Sequence, residues 1–228
     1  MLVVIGILIA LQVNNWNENR KERIQERKYL LRFDAELSTD LENIASSISM
    51  NKDRIQRAEF LMRTIGTPQL AEDSSSYFIR SIEYAGYTNF PVIADNTFEE
   101  IKSSGKLSLI RNEELRSALQ QYHSWSLDRG QYDFIRHDIQ LNYLHERQGI
   151  LSPTQQIDMG SFRASTHYSI DEAIQAYERM IKKPGFLELL PTVIQSQIRA
   201  EESFDNIYNR ATTLKTMIKT ELGRQNTN

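Results

Sequence analysis

The chain has 228 residues, no cysteine and a formal net charge of −3 at pH 7. Its length suffices for a substantial folded domain, while the absence of cysteine excludes disulfides, thiolate nucleophiles and Cys-containing zinc sites. The slightly acidic balance argues against a nucleic-acid-binding protein, because such domains are usually strongly basic.

The first predicted element is an apolar helix. From Leu2 to Val13 all but two residues are aliphatic, and Trp16 follows where an indole suits the headgroup layer. In a bilayer such a segment must be helical, but its span of roughly 20 Å is shorter than a hydrocarbon core of about 30 Å. We predict a transmembrane anchor over residues 1–15 whose N-terminal part is missing, for instance through a wrongly chosen start codon. The anchor residues are Leu2, Val3, Val4, Ile5, Ile7, Leu8, Ile9, Leu11 and Trp16.

Two other interpretations of this segment are a cleaved signal peptide and a buried core helix. A signal peptide needs a basic region before the apolar run and a small-residue cleavage site after it, and neither is present. A core helix this apolar is unusual at an N-terminus. The basic residues from Arg20 to Lys28 would suit anionic headgroups, but glutamates interleave with them, so a solvated helix face is the default interpretation.

The string from Leu2 to Glu18 resembles the signature of domain-of-unknown-function family 6090, an uncharacterised bacterial membrane family common in Bacteroidota. A second matching region runs from Thr97 to Leu107 and on through Ile110–Asn112 and Glu114–Arg116. The resemblance implies a single-pass protein of the bacterial inner membrane, and it brings no known activity. Members carry a basic leader before the apolar string, which this sequence lacks.

The topology implied by that leader differs from the one implied by this sequence alone. With the leader, the helical domain lies in the periplasm. The positive charges here flank only the C-terminal side of the anchor, which by itself favours a cytoplasmic domain. We follow the resemblance and expect a periplasmic domain.

A helical period follows the anchor. Apolar residues recur at alternating steps of three and four, which is typical of coiled-coil or bundle packing, and Gly66 and Pro68 provide a stop. We therefore predict one long helix from Asn14 to Ile65, continuous with the anchor and able to self-associate. Its helix-packing seam contains Leu37, Leu41, Ile44, Ile48, Ile55 and Met62, with Asn51 as a polar member.

Shorter helices are predicted next. One is capped by Ser74–Ser76 and ends at Gly86. Another begins at Asp95 or Asn96, where Asn96 and Glu99 approximate a capping box, and Gly105 suits a left-handed C-terminal cap.

The rest of the chain is predicted to contain three more helices and a loop. Asn112 caps a helix that runs to Arg147 and carries two apolar stripes. Gly130 is a point where this helix either bends or admits a close neighbour. Residues 149–166 are predicted as loop. Ser169 and Glu172 form a capping box, and a last helix begins after Pro191 and runs to Gly223.

The predicted fold is therefore all-α. An N-terminal transmembrane helix continues into an antiparallel bundle of long helices with shorter accessory helices, and residues 16–228 form a helical soluble domain.

No catalytic, cofactor or metal site is predicted. The glycines are too far apart for nucleotide-binding loops or a nucleophile elbow, no histidine follows a glutamate by three positions, and Gly149 replaces the second histidine of a zinc-protease motif at His145. We predict a scaffold or protein-interaction module without enzymatic activity. Its partners are the lipid bilayer and either itself or another membrane protein, with no nucleic acid. The alternative is an extracytoplasmic ligand-binding or sensory bundle.

Overall fold

A computed structural model of the protein describes residues 2–127, 130–160 and 167–227. These stretches contain helices and no strands, which confirms the predicted all-α class. The helices are α1 (Leu2–Gly66), α2 (Gln69–Asp73), α3 (Ser75–Tyr84), α4 (Asn96–Ser103), α5 (Glu113–Leu127), α6 (Gly130–Glu146), α7 (Pro153–Gly160), α8 (Ile170–Met180) and α9 (Pro184–Thr227), with a 3₁₀ turn at Leu107–Leu109.

The chain folds as two compact units. Unit one comprises residues 1–44, 92–128 and 207–228, and unit two comprises residues 45–91 and 129–206. Helices α1 and α9 contribute residues to both. The predicted division into an anchor over residues 1–15 and a helical domain over residues 16–228 stays a prediction.

The long helix α1 is continuous from Leu2 to Gly66, as predicted. Within the described residues, no helix is both long enough and apolar enough to cross a membrane.

The buried face of α1 differs from the predicted seam at three positions, where the residue before the predicted one is the more buried: Asp40 before Leu41, Ser47 before Ile48 and Leu61 before Met62. Among the predicted seam residues, Leu37 and Ile44 are buried, Leu41, Ile48 and Ile55 are partly buried, and Met62 is exposed. The residues that the structure buries along this face are Leu30, Phe33, Leu37, Asp40, Ile44, Ser47, Asn51, Ala58 and Leu61.

Two of these buried positions hold polar residues, Asp40 and Ser47. An apolar pattern therefore does not reveal them. A buried carboxylate is tolerated only when it is hydrogen-bonded. Asp40 meets this condition in unit one, because its Oδ1 accepts the backbone N–H of Ala94 at 2.8 Å and its Oδ2 accepts the Tyr122 hydroxyl at 2.8 Å.

Two other carboxylates of α1 also bind the segment of residues 94–111 in unit one, which includes Ala94. Glu36 Oε1 accepts both the backbone N–H of Thr97 at 3.3 Å and the Thr97 hydroxyl at 2.5 Å. Glu26 Oε1 accepts the backbone N–H of Arg111 at 2.8 Å. Residues 94–111 are thus held to α1 by backbone groups that have no partner in their own segment.

The predicted serine cap of α3 was wrong, because Ser74 makes no side-chain cap hydrogen bond and the hydroxyls of Ser75 and Ser76 bind the backbone of Tyr168.

The start of α4 corrects another prediction. Neither Asp95 nor Asn96 caps it with a side chain, because Glu36 from α1 accepts the N–H of Thr97 in the first turn. The carboxylate of Glu99 binds Lys102 at 3.3 Å instead of returning to the cap. The end of α4 is as predicted, with Gly105 at a φ of +68°.

Residues 149–166 are not all loop, so that prediction was wrong for Pro153–Gly160. Helix α7 begins with a reciprocal cap, in which Ser152 Oγ accepts the Gln155 N–H at 3.2 Å and Gln155 Oε1 accepts the Ser152 N–H at 2.9 Å. This is a capping box followed by a proline at the first helical position, and both signals are present in the sequence. Residues 161–166 lie outside the described part of the chain.

The helix predicted from Asn112 to Arg147 corresponds to α5 and α6. Asn112 caps α5 as predicted, since its Oδ1 accepts the Leu115 N–H at 3.1 Å. Residues 128 and 129, immediately before the predicted bend at Gly130, lie outside the described residues. In α6 the second predicted stripe is not packed, because Phe134 and Leu141 are 71% and 50% exposed.

The last two predicted helices are present. The Ser169–Glu172 capping box of α8 is complete. Helix α9 begins at Pro184 rather than after Pro191, because buried Phe186 and Leu190 hold the additional turns in unit two.

The core of unit two contains a close approach at Gly86. The ring of Tyr143 lies where a Cβ at Gly86 would be, and this ring is fully buried with its hydroxyl donating to the Ile82 carbonyl at 2.8 Å. Glycine is therefore required here for space.

We expect Gly86→Ala to lower the free energy of unfolding by about 1–3 kcal/mol, because the fixed Tyr143 ring cannot yield to the added methyl group. Denaturant unfolding followed by circular dichroism measures this. Gly66→Ala is the control, since a Cβ there meets nothing within 4 Å. Equal stabilities for the two variants would contradict the packing argument.

Candidate functional site

The first turns of α1 display aliphatic side chains to solvent on all sides. The predicted anchor residues are all exposed, from 49% at Ile5 to 75% at Val3, and Trp16 is 65% exposed; the Leu2 side chain lies outside the described part. Burying an apolar side chain of this kind stabilises by roughly 1.5–3 kcal/mol. An exposed cylinder of aliphatic side chains is therefore a surface that favours an apolar environment.

A cavity rich in arginine lies beyond this segment in unit one. It has a volume of about 790 Å³ and is lined by side chains from α1, from the loop before α5 and from the end of α9. Trp16 and Ile24 provide its apolar part. Its arginines, which we call the arginine cluster, are Arg20, Arg23, Arg27, Arg111 and Arg224.

Buried polar contacts position the loop that carries Arg111. Glu26 is fully buried and holds the Arg111 backbone N–H. The Arg111 guanidinium donates to Asn19 Oδ1 and to Glu22 Oε2, both at 3.0 Å. Arg111 therefore contacts two successive turns of α1, which determines where its remaining donors point.

The end of α9 is attached to the same place. Arg27 donates to the carbonyl of Leu222 at 3.3 Å, and Asn112 donates to Glu221 Oε2 at 3.3 Å while it also caps α5. Asn112 thus links the start of α5 to α9. Three chain segments that lie far apart in the sequence thus line the cavity.

The arginine cluster retains positive charge after its internal ion pairs are counted. Arg23 lies 3.6 Å from Glu26, Arg111 lies 3.0 Å from Glu22, and Arg224 lies 3.7 Å from Glu221. Arg20 makes no ion pair with any described residue. Three carboxylates thus face five arginines, and two positive charges remain for an external anion.

A second cavity of unit one lies beside His123. Its volume is about 530 Å³, and Phe98, Leu107, Gln120 and Ser124 are among its lining residues. The imidazole is 3% exposed and stacks on Phe98 with ring centroids 4.3 Å apart. Its Nδ1 has no hydrogen-bond partner among the described residues. Burial lowers the pKa of His123 to about 4, although Asp95 and Glu99 oppose this.

Sequence reasoning found only part of the arginine cluster. The basic run of α1 was recognised, whereas Arg111 and Arg224 were not connected with it. One signal was available, because Arg111 and Asn112 belong to the second region of family resemblance. Among the described residues, no group of three or more histidine, aspartate or glutamate side chains is arranged to hold a metal ion.

The protein is thus an all-helical one with an exposed aliphatic N-terminal helix segment and an adjoining arginine-lined cavity. Residues 1–165 match the model of a family of unknown function, DUF6090. The chain belongs to this family, as the resemblance predicted. Neither the curated proteins nor the solved structures contain a match. The matched range includes the first four arginines of the cluster but not Arg224 in α9.

The buried imidazole predicts a pH-dependent stability. Between about pH 6.5 and pH 4 the unfolded chain binds a proton at His123 that the folded chain does not, so the free energy of unfolding falls as the pH falls through this range. We expect this residue to account for up to about 3 kcal/mol of the loss. Denaturant unfolding at several pH values measures this loss of stability. A His123→Leu variant should not show the part of the loss that comes from the imidazole. An identical pH profile for both proteins would contradict it.

Proposed function

We propose that this protein is held at a lipid bilayer by the first part of α1 and that its helical units act as a scaffold that binds other protein chains. In this proposal a membrane-inserted helix continues into a helical bundle. The observation that carries it is the exposure of the aliphatic residues from Val3 to Val13 on every face of the helix.

The arrangement after the aliphatic segment supports the same proposal. Trp16 is exposed directly beyond it, and amphipathic indoles favour the membrane interface. Arginines follow within the next three turns, and basic side chains adjacent to a membrane-inserted segment are attracted to anionic headgroups. The described aliphatic residues reach about 18 Å along the helix axis, which is enough to enter the hydrocarbon layer.

Tryptophan fluorescence tests the membrane attachment, because Trp16 and Trp125 are the two tryptophans of the chain. In a Trp125→Phe variant the emission reports Trp16, and we expect a blue shift when phosphatidylcholine vesicles are added. The chain should also float with these vesicles.

Two variants complete this test. In Trp16→Phe the emission reports Trp125, which lies against Arg210 in unit one, and vesicles should leave it unchanged. Ile5→Asp/Ile9→Asp should abolish flotation, since charges within the aliphatic segment oppose insertion. A wild-type chain that does not float with vesicles would disprove the membrane attachment.

The scaffold role is supported by an apolar groove in unit two. It has a volume of about 450 Å³ and is lined by Met62 of the predicted seam together with Pro191, Ile194 and Ile198 of α9. Met62 and Ile198 are 39% and 44% exposed. Clustered exposed apolar side chains with a polar rim, here Arg199 and Glu202, are typical of protein-binding surfaces.

We expect the full chain in detergent micelles to self-associate through this groove and Met62→Glu/Ile198→Glu to be monomeric, as measured by sedimentation velocity. Ile157→Glu/Ile170→Glu is the matched control, because those side chains are 74% and 53% exposed in unit two but do not line the groove. A wild-type chain that is monomeric and binds no other chain would contradict the scaffold role. The ligand-binding alternative stays a prediction.

A further inference from the structure

The arginine cluster has the composition and construction of an anion site. Each guanidinium presents a planar fork of N–H donors that matches the oxygens of a phosphate group. The cavity is positioned by buried contacts rather than by flexible surface chains, since Glu26 is fully buried and holds the loop of Arg111. Such positioning lowers the cost of bringing several arginines together around one ligand.

The position of the cavity along α1 fits the headgroup layer. Arg20 and Arg23 follow Trp16 by four and seven residues, or about 6 and 10 Å along the helix axis. Side chains of a helix tilt toward its N-terminus, which here means toward the aliphatic segment. Headgroups occupy several Å on either side of the hydrocarbon core, so both guanidinium groups can reach them when residues 3–13 are inserted.

We infer that the arginine cluster binds a phosphate group, of the kind carried by an anionic phospholipid headgroup. Arg20 and Arg23 contact the phosphate from α1, Arg111 and Arg224 contact it from the loop and from α9, and the Trp16 indole lies against the adjoining lipid. This inference rests on the proposed attachment to a bilayer. It adds a defined headgroup site to that attachment, one that only the folded unit one provides.

The test compares two pairs of substitutions in the full chain. Arg20→Gln/Arg23→Gln removes two cations that line the cavity. Lys21→Gln/Lys28→Gln removes two cations from the same stretch of α1 that do not line it. The pairs are matched, because Arg23 and Lys21 each have a glutamate partner on α1, whereas Arg20 and Lys28 have none among the described residues.

Binding is measured by cosedimentation with vesicles of phosphatidylcholine alone and of phosphatidylcholine mixed with phosphatidylglycerol. We expect the wild-type chain to prefer the mixed vesicles, and the arginine pair to lose at least about tenfold more of this preference than the lysine pair. Equal losses would mean that the anion is attracted by charge alone and would overturn the site. Circular dichroism and thermal melting verify that both variants fold like the wild-type chain.

The neutral vesicles separate this inference from the proposed function. If the wild-type chain binds neither kind of vesicle, the attachment itself fails. If it binds both kinds equally, the attachment holds and the headgroup site is refuted. The arginine pair should still bind neutral vesicles, because that binding depends on the aliphatic segment.

Inorganic phosphate distinguishes the two sources of the ligand. Added to the mixed vesicles at constant ionic strength, it removes the anionic preference if the site accepts a free phosphate ion. If the preference persists, the site takes the phosphate only as part of a lipid. Either result supports phosphate recognition, provided that Arg20→Gln/Arg23→Gln abolishes the preference for the mixed vesicles and Lys21→Gln/Lys28→Gln does not.

Discussion

Unit one depends on carboxylates of α1 that accept backbone N–H groups from the segment between residues 94 and 111. A backbone donor without a partner in its own segment must find one elsewhere when it is buried. Glu26, Glu36 and Asp40 supply these acceptors at successive levels of the helix. These hydrogen bonds hold the segment to α1 at three points, namely before α4, in its first turn and after the 3₁₀ turn that follows it.

These carboxylates carry an electrostatic cost that the surrounding residues offset. Burial raises the pKa of Asp40, and the hydrogen bonds from Ala94 and Tyr122 oppose that shift. Glu26 is fully buried, and its Oε2 lies 3.6 Å from the guanidinium of Arg23. The acidic residues that bind the loop thus also attract arginines, and the cationic lining of the cavity follows in part from the same contacts.

Local signals in the sequence predicted helix ends well where the side chains involved are neighbours in the chain. Ser169 and Glu172 form the expected capping box, Asn112 caps α5, and Gly105 takes the left-handed conformation. The same kind of signal was present and missed at Ser152 and Gln155. Prediction failed at Asn96 because the acceptor that caps α4 comes from Glu36, sixty residues earlier.

The candidate site was predictable only in its local part. The aliphatic run, Trp16 and the basic residues of α1 are adjacent in sequence, so their combination could be recognised directly. Arg111 joins them through long-range hydrogen bonds to Glu22 and Glu26 of α1. The end of α9, which carries Arg224, joins them because Arg27 donates to the Leu222 carbonyl and Asn112 donates to Glu221. No spacing in the chain indicates these contacts.

The sequence by itself determined the all-helical class, the continuity of α1 and the family, because these follow from apolar periodicity and from residues that are close along the chain. Only the tertiary structure decided which face of α1 is buried. Asp40 enters that face as a polar residue, and a buried carboxylate needs hydrogen-bond partners. Its partners, Ala94 and Tyr122, come from distant segments, so no apolar pattern reveals such a position.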